Sequence, residues 1–306
     1  MDLRQLEMFR AVVETGSFTK AGQRLYVSQS AVSRQISLLE HELGAPLFQR
    51  VHRRLVLTPT GKILSHHALR IFHEMRLLST ALTDLGELQK GRLQLAGGMS
   101  VCTYLFPELL KVYNDAYPNI EVRIATGVTE ELLRMLREDK TDLALLTLPF
   151  HDPDLEVTPA LREELVLVTN PLHPLATKAQ IEFCDLAPYT FIHFEPGSNT
   201  RKLLDRTFEE EGVVFENTME LQNVEITKPL VAHGLGISII PYPAVAGKRN
   251  GGLVWRRITG RRIFREVGWV RLKSEYTPKA VSALLQIFER LKHRFAERET
   301  APPSQG

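Results

Sequence analysis

SFTKAGQRLYVSQSAVSRQISLLEHELGAPLFQRVHRRLVL, from Ser17 to Leu57, reads as two short helices followed by two short strands. Ser17 suits the N-cap of a helix over Phe18 to Leu25. Tyr26 and Val27 make a tight turn, Ser28 caps a second helix over Gln29 to Leu43, and Gly44 closes it. On that second helix Val32, Ile36, Leu39 and Leu43 recur at four, three and four residues, one apolar stripe facing a core. Gln29, Ser30, Ser33, Arg34 and Ser37 fall on the opposite side. Their side chains are short or planar, rich in hydrogen-bonding groups, and free of acids. A solvated face mixes Glu with Lys, and this one has neither. Such a face can lie against base edges in a major groove, where Gln suits adenine and Arg suits guanine.

Phe48 to Val51 and Leu55 to Leu57 read as strands with a basic tip, His52-Arg53-Arg54. Arg53 and Arg54 can reach a phosphate backbone or a minor groove. Upstream, Leu3, Leu6, Phe9, Val12 and Val13 give a helical apolar face over Asp2 to Glu14, which completes a small core. The pattern LRQLEMFRAVVETGSFTKAGQRLYVSQSAVSRQISLLEHELGAPLFQRVHRRLVLTPTG, Leu3 to Gly61, resembles the DNA-binding region of LysR-type transcriptional regulators. It departs at Gly22, where that family usually has Ala, and at Ser30, where it often has Pro.

Thr58 and Pro59 open a long helix expected to run to about Leu88. Leu64, Ala68, Ile71, Met75, Leu78, Leu82 and Leu85 alternate four- and three-residue spacings, a heptad seam. A helix packed on its own domain gives the same pattern. The narrow stripe and its polar flanks favour a two-chain coiled coil. His66, His67 and His73 lie on this helix without a carboxylate or thiol at ligand spacing, so they read as solvated and no metal is expected.

After Gly91 the pattern alternates strand and helix, which implies an α/β unit with a largely parallel sheet. Strands are predicted at Leu93 to Ala96, Glu121 to Ala125 and Asp142 to Leu146, with helices at Cys102 to Ala116 and Glu130 to Glu138. A second set has strands at Leu165 to Thr169, Thr190 to Phe194, Thr218 to Leu221 and Gly236 to Ile240. Its helices are Arg201 to Glu211 and Val224 to His233. Glu266 to Leu272 returns to the first lobe, and a helix over Pro278 to Glu297 follows. Two lobes crossed twice by the chain make a cleft, and ligands settle at the carboxyl ends of such strands. Ser100 and Thr103, Thr129, Thr147, the run Ser198-Asn199-Thr200, and Asn223 all stand there. Hydroxyls, amides and backbone N–H groups suit a small anion such as a carboxylate or phosphate. Helix capping accounts for any one of these residues; several termini facing one cleft favour a ligand.

The runs LFPELLKVYNDAYPNIEVRIATG, KTDLALL and VAHGLGISIIP resemble the effector-binding domain of the same family. The resemblance implies a co-inducer between the lobes, with Ser100, Thr103, Thr129, Thr147, Ser198 and Thr200 as contact candidates. FEPGSNTR is similar to members that sense small metabolites of carbon or sulfur assimilation. The expected fold class is α+β overall: a winged helix-turn-helix and long linker helix, then a two-lobed α/β effector-binding domain resembling periplasmic binding proteins. The expected domains are 1–58 (helix-turn-helix about 18–37), a dimerisation linker over 59–90, the effector domain over 91–299, and a disordered tail at 300–306. The expected partners are promoter DNA, a small anionic metabolite and a second copy, in dimers through the linker and, by the resemblance, tetramers. RNA polymerase is a further candidate partner.

Composition agrees with this reading. Of 306 residues, 43% are hydrophobic and 24% charged, as in ordinary globular proteins. Residues 1–90 hold twelve Lys and Arg against eight Asp and Glu, while the whole chain nets +2, so positive charge gathers at the helix-turn-helix. MDLRQLEMFRAVVE is neither a signal peptide nor a membrane span, and the expected location is the cytoplasm. No G-x-S-x-G elbow, G-x-G-x-x-G or P-loop is present, so no enzymatic function and no cofactor are expected. Cys102, near the cleft at a helix start, could be activated for redox sensing; a bland buried thiol is the plainer reading. Arg256, Arg257, Arg261, Arg262 and Arg265 read as a solvated β-hairpin turned at Gly260.

Overall fold

A computed structural model describes residues 1–52, 54–85, 91–221 and 223–296, apart from the side chains at 248, 249 and 296. Arg53, the expected end of the linker helix at 86–90, and the tail Thr300 to Gly306 lie outside the described residues. The chain divides into two compact units, Met1–Thr83 and Asp84–Gly306.

The first unit has helices α1 (Leu3–Thr15), α2 (Phe18–Arg24) and α3 (Gln29–Leu43), strands β1 (Phe48–Val51) and β2 (Arg54–Leu57), and helix α4 (Pro59–Thr83). Local chemistry sets each boundary. Asp2 forms a capping box with Gln5, and Ser17 and Ser28 cap α2 and α3. Gly16 and Gly44 end α1 and α3 in the left-handed conformation, at φ 64 and 67. Phe9 and Val12 of α1, Ala21 of α2, and Val32, Ile36 and Leu39 of α3 share one buried core with Leu47. Leu43, the last of the predicted stripe, is exposed, because the helix ends there and the chain turns away at Gly44. β1 and β2 pair antiparallel, Phe48 opposite Leu57, as the wing. Thr58 caps α4, accepting from Gly61 N at 3.0 Å and donating to Pro46 O at 2.6 Å. Gly61 is a close approach: a Cβ there would lie 2.1 Å from Leu47 O.

α4 is shorter than the pattern predicts, with Asp84 and Leu85 in a turn. Its seam is divided. Leu64 packs on the helix-turn-helix core and Ala68 is buried, whereas Ile71, Met75, Leu78 and Leu82 are exposed. His73 is not a surface imidazole: it is buried, with Nδ1 at 3.4 Å from an Arg76 guanidinium nitrogen.

The second unit runs β3 (Gly91–Gly97), α5 (Met99–Tyr104), α6 (Phe106–Ala116), β4 (Ile120–Thr126), α7 (Thr129–Arg137) and β5 (Leu143–Thr147), then the long β6 (Leu155–Thr169). It continues with α8 (Pro174–Thr177), β7 (Phe191–Phe194), α9 (Asn199–Glu210), β8 (Thr218–Leu221), α10 (Val224–Ala232), β9 (Ser238–Pro241), β10 (Val254–Arg256), β11 (Ile263–Leu272) and α11 (Lys279–Ala296). β3 pairs parallel with β4 and β5, forming the first lobe. β7 pairs parallel with β8 and is bridged to Ile237, just before β9, forming the second. β6 and β11 are the two crossings. They pair antiparallel with each other, β11 also pairs with β5, and β6 also pairs with β9.

Both faces of each lobe are covered. In the first, Leu95 and Trp269 pack with Phe106, Leu284 and Phe288 on one face, and Ala144, Leu146 and Val270 with Leu132 and Leu136 on the other. In the second, Leu165 and Leu167 face Leu204 and Phe208, while Val166 and Val168 face Val224 and Val231. Burial on both sides explains the unbroken apolar run of β6.

In the second unit four sequence expectations change. The sheet expected to be largely parallel is mixed, parallel where β3 meets β4 and β5 but antiparallel wherever β6 or β11 pairs, because the two crossing strands run back between the lobes. The single helix over Cys102 to Ala116 is two helices broken at Leu105, because Pro107 has no N–H to donate and its ring blocks the carbonyl four residues back. β6 begins ten residues earlier than expected. Its first part holds Pro159, opposite Gly268 at a register shift, and proline there reads as a break. The basic segment is no hairpin: β10 and β11 both pair with β6, and the residues around Gly260 are an excursion between them.

Candidate functional site

On α3, Gln29, Ser30, Arg34 and Ser37 are exposed and Ser33 half-buried, opposite the buried Val32, Ile36 and Leu39. Ser30 Oγ is 2.9 Å from the capping Ser28 Oγ, so part of its capacity is used locally. Among the described residues, the Arg34 guanidinium has no ion-pair partner, and neither does exposed Arg54 on the wing. The nearby Arg24 is paired with Glu14. Tyr26 was not singled out by sequence. It stands 96% exposed at φ 57 in the turn just ahead of α3. The turn packs so closely on α2 that a Cβ at Gly22 would lie 2.8 Å from Val27 O, which accounts for glycine at this position.

The second unit holds a cavity of about 460 Å³ between its lobes. Ser100, Thr129, Thr147, Ser198, Thr200 and Asn223 all line it, brought together from five separate stretches of chain. Asn223 caps α10, its Oδ1 accepting from Glu225 N at 2.8 Å. Two predicted residues are absent from the lining. Thr103 stands one turn beyond Ser100 on α5, about 4.5 Å further along the axis. Asn199 is buried and committed elsewhere: its Nδ2 donates to Thr147 O at 2.7 Å and to Pro149 O at 3.0 Å, tying α9 to the first lobe.

The residue that organises the cavity is one the sequence pattern assigned to solvent. Arg265, on β11, is 4% exposed. Its Nε donates to Glu163 Oε2 at 2.7 Å, Nη1 to Thr200 Oγ1 at 3.1 Å, and Nη2 to Ser100 Oγ at 2.8 Å. It thus grips one hydroxyl from each lobe. Because both oxygens accept from the guanidinium, the Ser100 and Thr200 O–H bonds are left to donate elsewhere. Breaking such a buried pair costs about 3–5 kcal/mol, so Arg265 also holds the fold. The other arginines of that segment are spent on structure. Arg257 and Arg262 both bind the buried Glu164 carboxylate, Arg261 binds Glu210 and Glu211, and Arg256 donates to Ala176 O.

Glu131 and Glu195 also line the cavity. Burial, and then the charge of Glu131, hold the Glu195 carboxyl above the usual carboxylate range. Cys102 is a quiet thiol: burial pushes it up to about 11, and Sγ donates to Gly97 O. That outweighs any activation at a helix start. Among the described residues no cluster of three or more His, Cys, Asp or Glu could hold a metal ion. None of their helices is long and apolar enough to cross a membrane.

Residues 3–62 match the bacterial regulatory helix-turn-helix protein, lysR family, and residues 86–292 the LysR substrate binding domain. The RuBisCO operon transcriptional regulator of Allochromatium vinosum is 33% identical over 240 residues, 78% of this chain and 79% of that one. Among solved structures, a full-length OxyR variant from Pseudomonas aeruginosa covers 99% of both chains at TM-score 0.76 and 24% identity, a likeness of fold. The regulatory domain of Synechocystis PCC6803 CcmR, in complex with 2-PG, matches 68% of this chain and 100% of that one, at TM-score 0.63 and 27% identity. With a DNA-binding helix-turn-helix and a substrate-binding unit both matched in chain order, this protein belongs to the LysR family of DNA-binding transcriptional regulators.

Proposed function

We propose that Gln29, Ser30, Ser33 and Arg34 read base edges of promoter DNA while Arg53 and Arg54 hold the backbone, and that a small metabolite bound between the lobes switches the regulator. The observation that carries the switch is Arg265, which joins Ser100 of one lobe to Thr200 of the other and leaves both hydroxyls as donors. An anionic group on the metabolite accepts from these donors, with Thr129, Thr147, Ser198 and Asn223 around it. The complex of the CcmR regulatory domain with 2-PG supports a small-molecule ligand in this unit. A ligand touching both lobes favours one closure angle, which is the differential binding that any switch requires. Within the second unit Asp84 accepts from Tyr276 Oη at 2.5 Å and from Lys279 N at 2.8 Å, which fixes its first residue to the first turn of α11.

One helix reads only a short half-site, so a dimer is needed for useful specificity. The exposed Ile71, Met75, Leu78 and Leu82 supply a seam for a second copy, and the LysR resemblance further implies tetramers built through the effector units. Such a protein works where promoters are, in the cytoplasm.

The hydroxyls offer the cleaner test, because Arg265 also supports the fold. Thr200→Val should raise the half-maximal inducer concentration in a promoter-reporter titration about tenfold or more, from the loss of one charge-assisted hydrogen bond worth roughly 1.5–3 kcal/mol. Arg34→Ala should lose about 1–3 kcal/mol of specific operator binding, whereas Arg54→Ala should weaken all DNA evenly and lower the salt slope. Wild-type inducer response in Thr200→Val, or an unchanged footprint in Arg34→Ala, refutes the corresponding half of the proposal.

A further inference from the structure

The charge around the interlobe cavity does not match a purely anionic ligand. Its charged lining side chains are Arg265, Glu131 and Glu195. Arg265 is already balanced by Glu163, which sits 2.5 Å from Nη2 and is itself buried. Two carboxylates remain, one from each lobe: Glu131 in the first turn of α7, and Glu195 in the loop between β7 and α9. Neither has a hydrogen-bond or ion-pair partner among the described residues, although neighbours of both do. Glu130 pairs with Lys202 across the cleft, and Arg201 pairs with Asp205 and Glu220. The Glu131 carboxylate lies over the cavity-lining Gly127, where a Cβ would be 2.8 Å from Oε2. The two acids stand near enough for the charge of Glu131 to oppose ionisation of Glu195. Glu131 is exposed and Glu195 half-buried, so both can ionise, and a ligand cation entering the cavity would be drawn to the pair.

We infer that the effector is amphoteric, a small metabolite whose carboxylate or phosphate sits on the Ser100 and Thr200 hydroxyls and whose protonated amine sits between Glu131 and Glu195. The inference rests on the cleft reading above and adds the second half of the ligand. Each end engages both lobes: Ser100 and Glu131 belong to the first, Thr200 and Glu195 to the second. The anion alone therefore neutralises nothing at the acidic end, and the amine completes closure there. A dianion of the same length would place its second charge against two carboxylates.

The test uses the full chain and two matched probe pairs, titrated calorimetrically at neutral pH. Phosphoethanolamine is compared with phosphoglycolate, and serine with glycerate; within each pair the ammonium group is replaced by a group without positive charge. The expected result is tighter binding of the amine-bearing member by tenfold or more. In Glu131→Gln/Glu195→Gln that preference should vanish or reverse. Thr200→Val should weaken both members of a pair alike. Preference for phosphoglycolate and glycerate in the wild type, with sensitivity to Thr200→Val retained, overturns the amphoteric inference and leaves the cleft reading standing. Binding untouched by both Thr200→Val and the double Gln variant overturns the cleft reading as well. An amine preference that survives the double Gln variant, or no binding of any of the four probes, overturns the inference.

Discussion

At the scale of single residues, the buried titratable group outside the cleft with the clearest consequence is His193. Its ring lies among Phe191, Phe208 and Phe215 and is 6% exposed. Burial first, and then the charge of Arg201, lower its pKa from 6.5 to about 4, while Asp205 and Glu220 pull the other way. The unfolded chain takes up a proton as pH falls through 6.5, and the folded chain does so only near 4. The stability linked to this group is therefore complete above 6.5 and drains as pH falls between those values, by about 3 kcal/mol at most. His193→Phe should flatten that part of the profile. Urea midpoints at pH 7 and pH 5 for wild type and variant check this; parallel profiles would show that the imidazole is not kept neutral.

At the scale of elements, α4 carries two constraints of different kinds. Its first turn is pinned by Gly61 against the Leu47 carbonyl, a contact with backbone that no rotamer change can relieve. Gly61→Ala must shift α4 or the turn before the wing, at a cost of about 1–3 kcal/mol, read as a lower urea midpoint. The other constraint is the exposed stripe. Carboxylates in place of Ile71 and Leu78 would be unpaired inside a coiled-coil seam. Ile71→Asp/Leu78→Asp should sediment as a monomer in analytical ultracentrifugation and lose operator affinity. A persistent dimer would place the main interface elsewhere. Helix boundaries were widely legible because each depends on a neighbour within four residues: Ser17 with Lys20, Ser28 with Ala31, and Gly44 in the left-handed conformation. The first half of β6 was not legible, since Pro159 imitates a break when only the chain is in view.

At the scale of the second unit as a whole, its lobes are joined by more than the crossing strands. Asn199 spans them by donating from α9 to the carbonyls of Thr147 and Pro149, and Arg265 spans them through Ser100 and Thr200. The exposed Lys202–Glu130 pair adds little by comparison. Asn199→Ala leaves two carbonyls without their donor and should cost about 1–3 kcal/mol, with faster amide exchange where β5 meets α9. Equal melting temperature and equal exchange in the variant would mean that the Asn199 bonds add nothing to the hold that the strands and Arg265 already give.

The sequence by itself determined the helix-turn-helix, the face α3 presents, the heptad stripe and the strand ends that line the cleft. Each is written in spacings of a few residues, and backbone geometry turns such spacings directly into faces. Tertiary structure alone decided which residues govern the cleft. Arg265 lies four residues beyond Arg261 in an arginine-rich stretch, and composition there reads as solvated. Its burial depends on Glu163, Ser100 and Thr200, which lie roughly 65 to 165 residues away and meet it only when β6 and β11 pair. Asn199 left the cleft for the same reason: its partners are backbone carbonyls of the other lobe, and a one-dimensional pattern carries no record of which carbonyl a folded chain will bring within reach.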